Sequence, residues 1–107
     1  MTTHTIHIAS AFSQTPAGRF IADGPFSGEL FRDHMLVPAL RSYDEVIVDL
    51  NGVFGFGSSF LEEAFGGLVR KSFFSKDELQ KKMRVNASLK TYENRVNKYI
   101  ADAKPEK

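Results

Sequence analysis

The feature that most constrains this chain is one continuous unit: an apolar strand, a glycine loop and a helix, between residues 45 and 71. EVIVDL, residues 45–50, is apolar on both faces apart from Asp49, which is how a strand at the centre of a sheet reads. The loop NGVFGFG follows with three glycines. SSFLEEAFGGLVRK then places Leu61, Ala64, Phe65 and Leu68 at the i, i+3, i+4, i+7 spacing of one helix face. Gly66 and Gly67 each weaken a helix by about 1 kcal/mol relative to alanine. Close approach to the sheet is the expected compensation.

The flanking segments supply the rest of an α/β fold. THTIHIASAF alternates and predicts a first strand, SQTPAG a turn, and RFIA a second strand returning in a hairpin. A helix is expected near residues 28–42, with Ser27 as N-cap and Glu29 in its first turn. Phe26 is placed to pack on Phe31 as a hydrophobic staple. Leu30, His34 and Val37 fall on one side of this helix, with Phe31 and Met35 beside them. Pro38 should kink or split it. Ser75 and Glu78 form a capping box ahead of SKDELQKK. MRVNASL sets Val85, Ala87 and Leu89 against Arg84, Asn86 and Ser88, the alternation of a half-exposed strand near a sheet edge. A last helix, 91–103, lines up Tyr92, Val96, Tyr99, Ile100 and Ala103. Strands alternating with helices predict a small mixed sheet of about four strands covered by helices. The 107 residues fit a single domain over 1–104, with 105–107 as a frayed tail.

Composition narrows the function classes. The chain has no cysteine, which excludes disulfides and thiolate metal sites. No apolar run approaches the ~18 residues of a membrane span, and MTTHTIHIAS lacks the basic start and long apolar stretch of a signal peptide. A soluble, cytoplasmic protein is expected, with no membrane association. The net charge of +1 hides a split: residues 1–69 sum to −5 and residues 70–107 to +6. Such asymmetry raises the alternative of a nucleic-acid-binding module using Arg70, Lys71, Lys81, Lys82, Arg84 and Lys90. Against it, Asp77 and Glu78 interrupt the cations, no like-charge block reaches five residues, and aromatics do not interleave with them as on stacking platforms.

The candidate site lies where the loop meets the helix. Ser58 and Ser59 open the helix, and Ser59 with Glu62 matches the capping box S-x-x-E, leaving Ser58 just before the cap or as the cap itself. A helix start presents free amides and a partial positive charge that favour a phosphoryl group. Phe54 and Phe56 stand among glycines, either as exposed interface anchors or with one of them turned into the core. Gly57 gives the backbone freedom beside the serines. Asp49 ends the strand, where it can bond loop amides. A catalytic serine would need a base, and sequence sets none of His4, His7 and His34 beside Ser58. GFGSSF is not a nucleophile elbow, and NGVFGFGSS lacks the lysine of a P-loop. His4 and His7 face opposite sides of a strand and make a poor metal pair. Glu62 and Glu63, adjacent on a helix, should diverge. No enzyme activity, metal or cofactor is expected.

The strand, loop, Ser-Ser and helix resemble the STAS domain, named for sulphate transporters and anti-sigma-factor antagonists. There a strand ends in an acid and D-S-S-G-L opens a helix, its first serine being the phosphorylation site. Asp49 matches that acid and Ser58 that serine, with Ser59 its neighbour. Gly57 stands where an Asp is usual and Phe60 where a Gly is usual. Over residues 14–70 the chain is similar to bacterial STAS-like proteins of uncharacterised function, through G-R, G-P-F-S-G-E, V-D-L-x-G-V and S-S-F-L-E-E-A-F-G-G-L. The resemblance implies a STAS-like fold. It also implies a regulator, related to anti-sigma-factor antagonists, that docks a partner protein of the histidine-kinase ATPase fold. Asp49, Phe54, Phe56, Gly57, Ser58, Ser59 and Glu62 would form the docking surface, with Ser58 as the phosphorylation candidate.

Overall fold

The structure, a computed structural model, describes residues 2–106. Three strands, β1 (Thr3–His7), β2 (Glu45–Asp49) and β3 (Met83–Asn86), form a sheet in the order β1-β2-β3. Both pairings are parallel, with Ile6 opposite Val48 and Val48 opposite Val85. Val46 and Val48 are fully buried, as a central strand requires, and they share their face with Ile6 and Met83. The other face carries Thr5, Ile47 and Arg84 in one row and is half-exposed or exposed.

The sheet is therefore parallel with three strands among the described residues, and not the mixed, roughly four-stranded sheet expected. The difference comes from RFIA. It forms a 3₁₀ turn, Ile21–Asp23, rather than a returning strand. Asp23 accepts the Phe20 amide at 2.8 Å and Glu29 the Ile21 amide at 2.8 Å, so side chains take donors that a hairpin would have used. β1 instead reaches Val46 and Val48 on β2, where burying Ile6 is favourable.

A single turn of helix, α1 (Ile8–Ala11), follows β1. The next helix, α2 (28–42), is built from Gly28–Phe31, a π turn at Arg32–Leu36, and Val37–Ser42. The interruption expected at Pro38 is met by this wider turn, in which the Val37 amide donates to the Arg32 carbonyl. The extra residue shifts the buried face. Phe31 and Leu36, five apart, are both fully buried, whereas Leu30 is half-buried and His34 exposed. Phe26 does not staple to Phe31 directly. Its ring meets Phe12 edge-on at 5.6 Å, and Phe12 meets Phe31 at 5.3 Å.

The third helix, α3 (58–70), has the same construction: Ser58–Leu61, a π turn at Glu62–Gly66, then Gly67–Arg70. The predicted stripe of Leu61, Ala64, Phe65 and Leu68 is fully buried. The glycines of this helix approach side chains and another helix, not the sheet. A Cβ on Gly66 would lie 2.7 Å from the Glu62 carboxylate and 3.3 Å from the Tyr99 carbonyl, and one on Gly67 would strike the Arg32 guanidinium. α4 (Lys76–Lys82) carries the expected Ser75–Glu78 capping box, and α5 (Lys90–Asp102) buries Val96. Leu89, expected inward, is 63% exposed because β3 has already ended at Asn86. In the tail, the Glu106 amide donates to the Arg70 carbonyl at 2.8 Å.

Ser27 is a cap with no access to water: its hydroxyl is fully buried and accepts the Leu30 amide at 3.2 Å. Ser75 makes the equivalent bond to the Glu78 amide at 3.1 Å on the surface. Ser27→Ala is therefore expected at the upper end of the ~0.5–2 kcal/mol range for lost caps, and Ser75→Ala at its lower end. Urea unfolding of both variants checks this, and equal losses would contradict the distinction.

Candidate functional site

The carboxyl ends of β1 and β2 are tied together by side chains. Asp49 accepts the Asn51 backbone amide at 3.0 Å and its side-chain amide at 2.9 Å, closing a turn. Its other oxygen lies 2.9 Å from His7 Nδ1 on β1. Burial works against the Asp49 charge, but the Asn51 amide and His7 outweigh it and hold the carboxyl below its ordinary pKa. Asn51 in turn accepts the Ser88 amide at 2.8 Å, joining the loop to the chain beyond β3.

From there the loop is pinned along its length. Gly52 takes φ +85°, where a side chain would also crowd Ala9 at 3.1 Å. The Phe54 amide donates to the Gln14 carbonyl at 2.9 Å. Phe54 itself is 80% exposed, while Phe56 is buried, 5.8 Å from the Phe60 ring and 5.1 Å from that of Tyr92. Alternate loop residues thus point out and in, and Phe54 alone of the pair remains available to a partner.

Gly57, not either serine, is the N-cap of α3. Ser58 and Ser59 occupy its first two helical positions, both exposed, and no side-chain cap bond forms. The expected Ser59–Glu62 capping box is absent because the Glu62 carboxylate is engaged elsewhere, by Arg19 and Arg70. Ser58 and Asp49 line none of three cavities of 320–450 Å³, which are walled by other parts of the chain. The serines stand on an open surface.

Sequence reasoning missed a second cluster. Glu62 and Glu63 do not diverge but converge on the same arginines. Glu63, almost fully buried, pairs with Arg32 at 2.5 Å, Arg70 at 2.8 Å and Arg19 at 3.4 Å. Arg32 is equally buried and also holds Asp33 at 2.8 Å. Burial opposes the Arg32 charge, yet bonds to Asp33 and Glu63 raise its pKa further. Burial likewise works against Glu62, but Arg19 and Arg70 keep its pKa below the ordinary glutamate value. The available signal was a pair of charged residues, Arg32 and Glu63, next to fully buried apolar neighbours on two helices. No buried side-chain polar atom of the described residues lacks a hydrogen-bond partner, so the buried part of the cluster is satisfied internally.

Residues 27–89 match the family described as a STAS-like domain of unknown function (DUF4325). The chain belongs to this family. No curated protein and no solved structure matches it. The matched stretch of the STAS-like domain runs from the Ser27 cap past the end of β3, so it contains β2, the loop, the serines and both π turns. No helix among the described residues is long and apolar enough to cross a membrane.

The basic residues of this STAS-like domain are largely occupied. Arg70 serves Glu62 and Glu63, Lys71 pairs with Glu106 at 3.2 Å, and Lys82 donates to the Leu40 carbonyl at 2.5 Å. Arg84 bonds the Gln80 and Met83 carbonyls at 2.7 and 2.9 Å, and Lys90 lies 3.5 Å from Glu93. Of the cations considered for nucleic acid, Lys81 is the one with no such partner among the described residues.

Two outcomes follow. Ser58→Ala removes no cap bond and should change unfolding free energy by less than about 0.5 kcal/mol; a loss above 1 kcal/mol in urea would show a hidden capping role. Glu62 has a lowered pKa in the folded state, so its stabilisation is complete above the ordinary value of about 4.3 and is lost as pH falls through the lower folded value. Glu62→Gln should accordingly flatten the acid limb of a melting-temperature profile below pH 4.5 or so. An unchanged slope would remove Glu62 from that role.

Proposed function

We propose that this STAS-like domain is a non-catalytic regulatory protein of the cytoplasm, related in manner to anti-sigma-factor antagonists. It docks a partner protein through the start of α3 and the loop before it. The observation that carries this reading is Phe54, 80% exposed on a loop held by backbone bonds at Asn51 and Phe54 and by the buried ring of Phe56. An exposed aromatic on a backbone already ordered contributes to an interface with less ordering cost than one on a loose loop. Four residues on, Ser58 and Ser59 present unbonded hydroxyls beside the first amides of α3.

Phosphorylation of Ser58 is the proposed switch. It would add about −1.5 to −2 charges at pH 7. The helix start tolerates that charge, so the fold survives, while a partner fitted to the neutral surface must desolvate a dianion. The partner class proposed is a kinase of the histidine-kinase ATPase fold, which would supply the phosphoryl group. Asp49, Gly57 and the Asn51 turn hold the surface in shape, and Glu62 acts indirectly, by anchoring α3 to Arg19.

Affinity capture from the native cell, with bound proteins identified by mass spectrometry, tests this. Wild type should retain an ATPase-fold kinase. Phe54→Ala should weaken retention by ~10-fold or more, the scale of an interface anchor. Ser58→Asp should weaken it too, with melting temperature nearly unchanged. Undiminished capture by Ser58→Asp would remove the switch. Undiminished capture by Phe54→Ala would remove the docking surface.

A further inference from the structure

The two edges of the sheet are not alike. In a strand, the amide and carbonyl of one residue point to the same side, and those of the next residue to the other. The Glu45 amide donates to the Thr2 carbonyl, so Thr2, His4 and Ile6 address β2, and Thr3, Thr5 and His7 address the outer edge of β1. On β3, the Asn86 carbonyl accepts the Leu50 amide, so Met83 and Val85 face outward.

The β3 edge is closed by its own chain. The Met83 amide is taken by the Leu79 carbonyl, and the Met83 carbonyl accepts the Arg84 guanidinium at 2.9 Å. Only Val85 is left there for a strand to address. The β1 edge is guarded in this way only at the His7 carbonyl, which the first turn of α1 takes. Among the described residues no other backbone or side-chain group bonds the outward amides and carbonyls of Thr3 and Thr5. THTIH contains no lysine, acid, proline or glycine, which are the devices that ordinarily blunt an exposed edge.

We propose that β1 pairs antiparallel with β1 of a second copy of this chain, about a two-fold axis through Thr5, joining two three-stranded sheets into one. The choice of a second copy rests on self-complementarity. With the axis at Thr5, outward-facing residues meet only outward-facing residues: Thr5 meets the partner's Thr5, and Thr3 meets the partner's His7. The two Thr5 residues exchange amide–carbonyl bonds, and each His7 amide donates to the opposing Thr3 carbonyl. The His7 carbonyl is already committed to the first turn of α1, so bonding concentrates on these groups. On the open face, threonine lies against threonine, a favourable cross-strand pair. On the helix-covered face, Ile6 lies against the partner's His4, whose ring is stacked on Tyr43 at 4.6 Å. No like charges oppose one another. This interface is independent of Phe54 and Ser58.

The chain has no cysteine, so single-cysteine variants report the register cleanly. Cα atoms of a hydrogen-bonded antiparallel pair lie about 5.5 Å apart, within the range a disulfide spans. Under mild oxidation Thr5→Cys should give a covalent dimer alone. Thr3→Cys should give one only when mixed with His7→Cys. Sedimentation equilibrium should show wild type as a concentration-dependent dimer, and Thr5→Lys, which opposes two cations across the axis, should shift it at least tenfold towards monomer. Circular dichroism establishes that Thr5→Lys is folded; if it is not, the cysteine cross-links decide by themselves. A wild-type chain that stays monomeric at every concentration, a Thr5→Lys dimer as tight as wild type, or cross-linking indifferent to position would each overturn the proposal.

Discussion

The rest of this structure depends on where the Glu63 carboxylate goes. It sits in the interior of α3, almost without access to water, where an unpaired charge would cost several kcal/mol. Three arginines compensate it, each from a different part of the chain: Arg19 from the loop after β1, Arg32 from α2, and Arg70 from the end of α3 itself. The ionic contacts therefore set relative positions that apolar packing alone leaves loose. Phenylalanine rings can slide over one another at similar energy, whereas guanidinium–carboxylate pairs have directional geometry. The crossing of α2 and α3 shows the consequence. A Cβ on Gly28 would lie 2.5 Å from the Phe60 carbonyl, so the helices touch backbone to backbone there, and Gly67 leaves the space that the Arg32 guanidinium fills.

The same constraint reaches the surface. Arg19 follows Gly18, whose φ of +95° turns the chain, and its ion pairs fix a segment that has little secondary structure of its own. The preceding stretch supplies the Gln14 carbonyl that accepts the Phe54 amide. The buried cluster, the irregular segment and the exposed loop are thus linked by named contacts. Placing charge in the core has a cost in stability relative to an apolar replacement, and removing one partner would leave a buried charge uncompensated.

How much of this was legible in the sequence follows the range of each interaction. β2, the stripe of α3, the caps at Ser27 and Ser75 and the edge strand at Met83 are local patterns, and each appears where the periodicity placed it. The hairpin at RFIA failed because Asp23 and Glu29 bond its amides, a competition that β-propensity does not register. The π turns were not foreseen, although Pro38 and the Gly66–Gly67 pair mark the helices that contain them. The arginine–glutamate cluster was invisible to spacing because Arg19 and Glu62 lie 43 residues apart. On an α-helix adjacent residues point about 100° apart, so Glu62 and Glu63 read as divergent. Long arginine side chains approaching from two sides undo that divergence. At the candidate site, the serines at the helix start were legible, and so was the alternation that could turn one of Phe54 and Phe56 inward, but not which of the two it would be. The assignment of a capping box was not sound, because S-x-x-E specifies a local bond and takes no account of stronger distant partners for the glutamate.

That failure has a consequence for what the serines can do. Had Ser59 and Glu62 formed a capping box, chemistry at the start of α3 would be coupled to the stability of the helix. Gly57 takes the cap position instead, through its extended backbone at φ −74° and ψ 149°, and Glu62 is held by arginines away from the helix start. The fold therefore makes no use of either hydroxyl. The loop before them is fixed by bonds to Asp49, Gln14 and Ser88 and by the burial of Phe56, none of which involves Ser58 or Ser59. A group added to such a hydroxyl breaks no internal contact. It alters the charge and shape of the surface at the start of α3 and hardly touches the contacts that hold the fold.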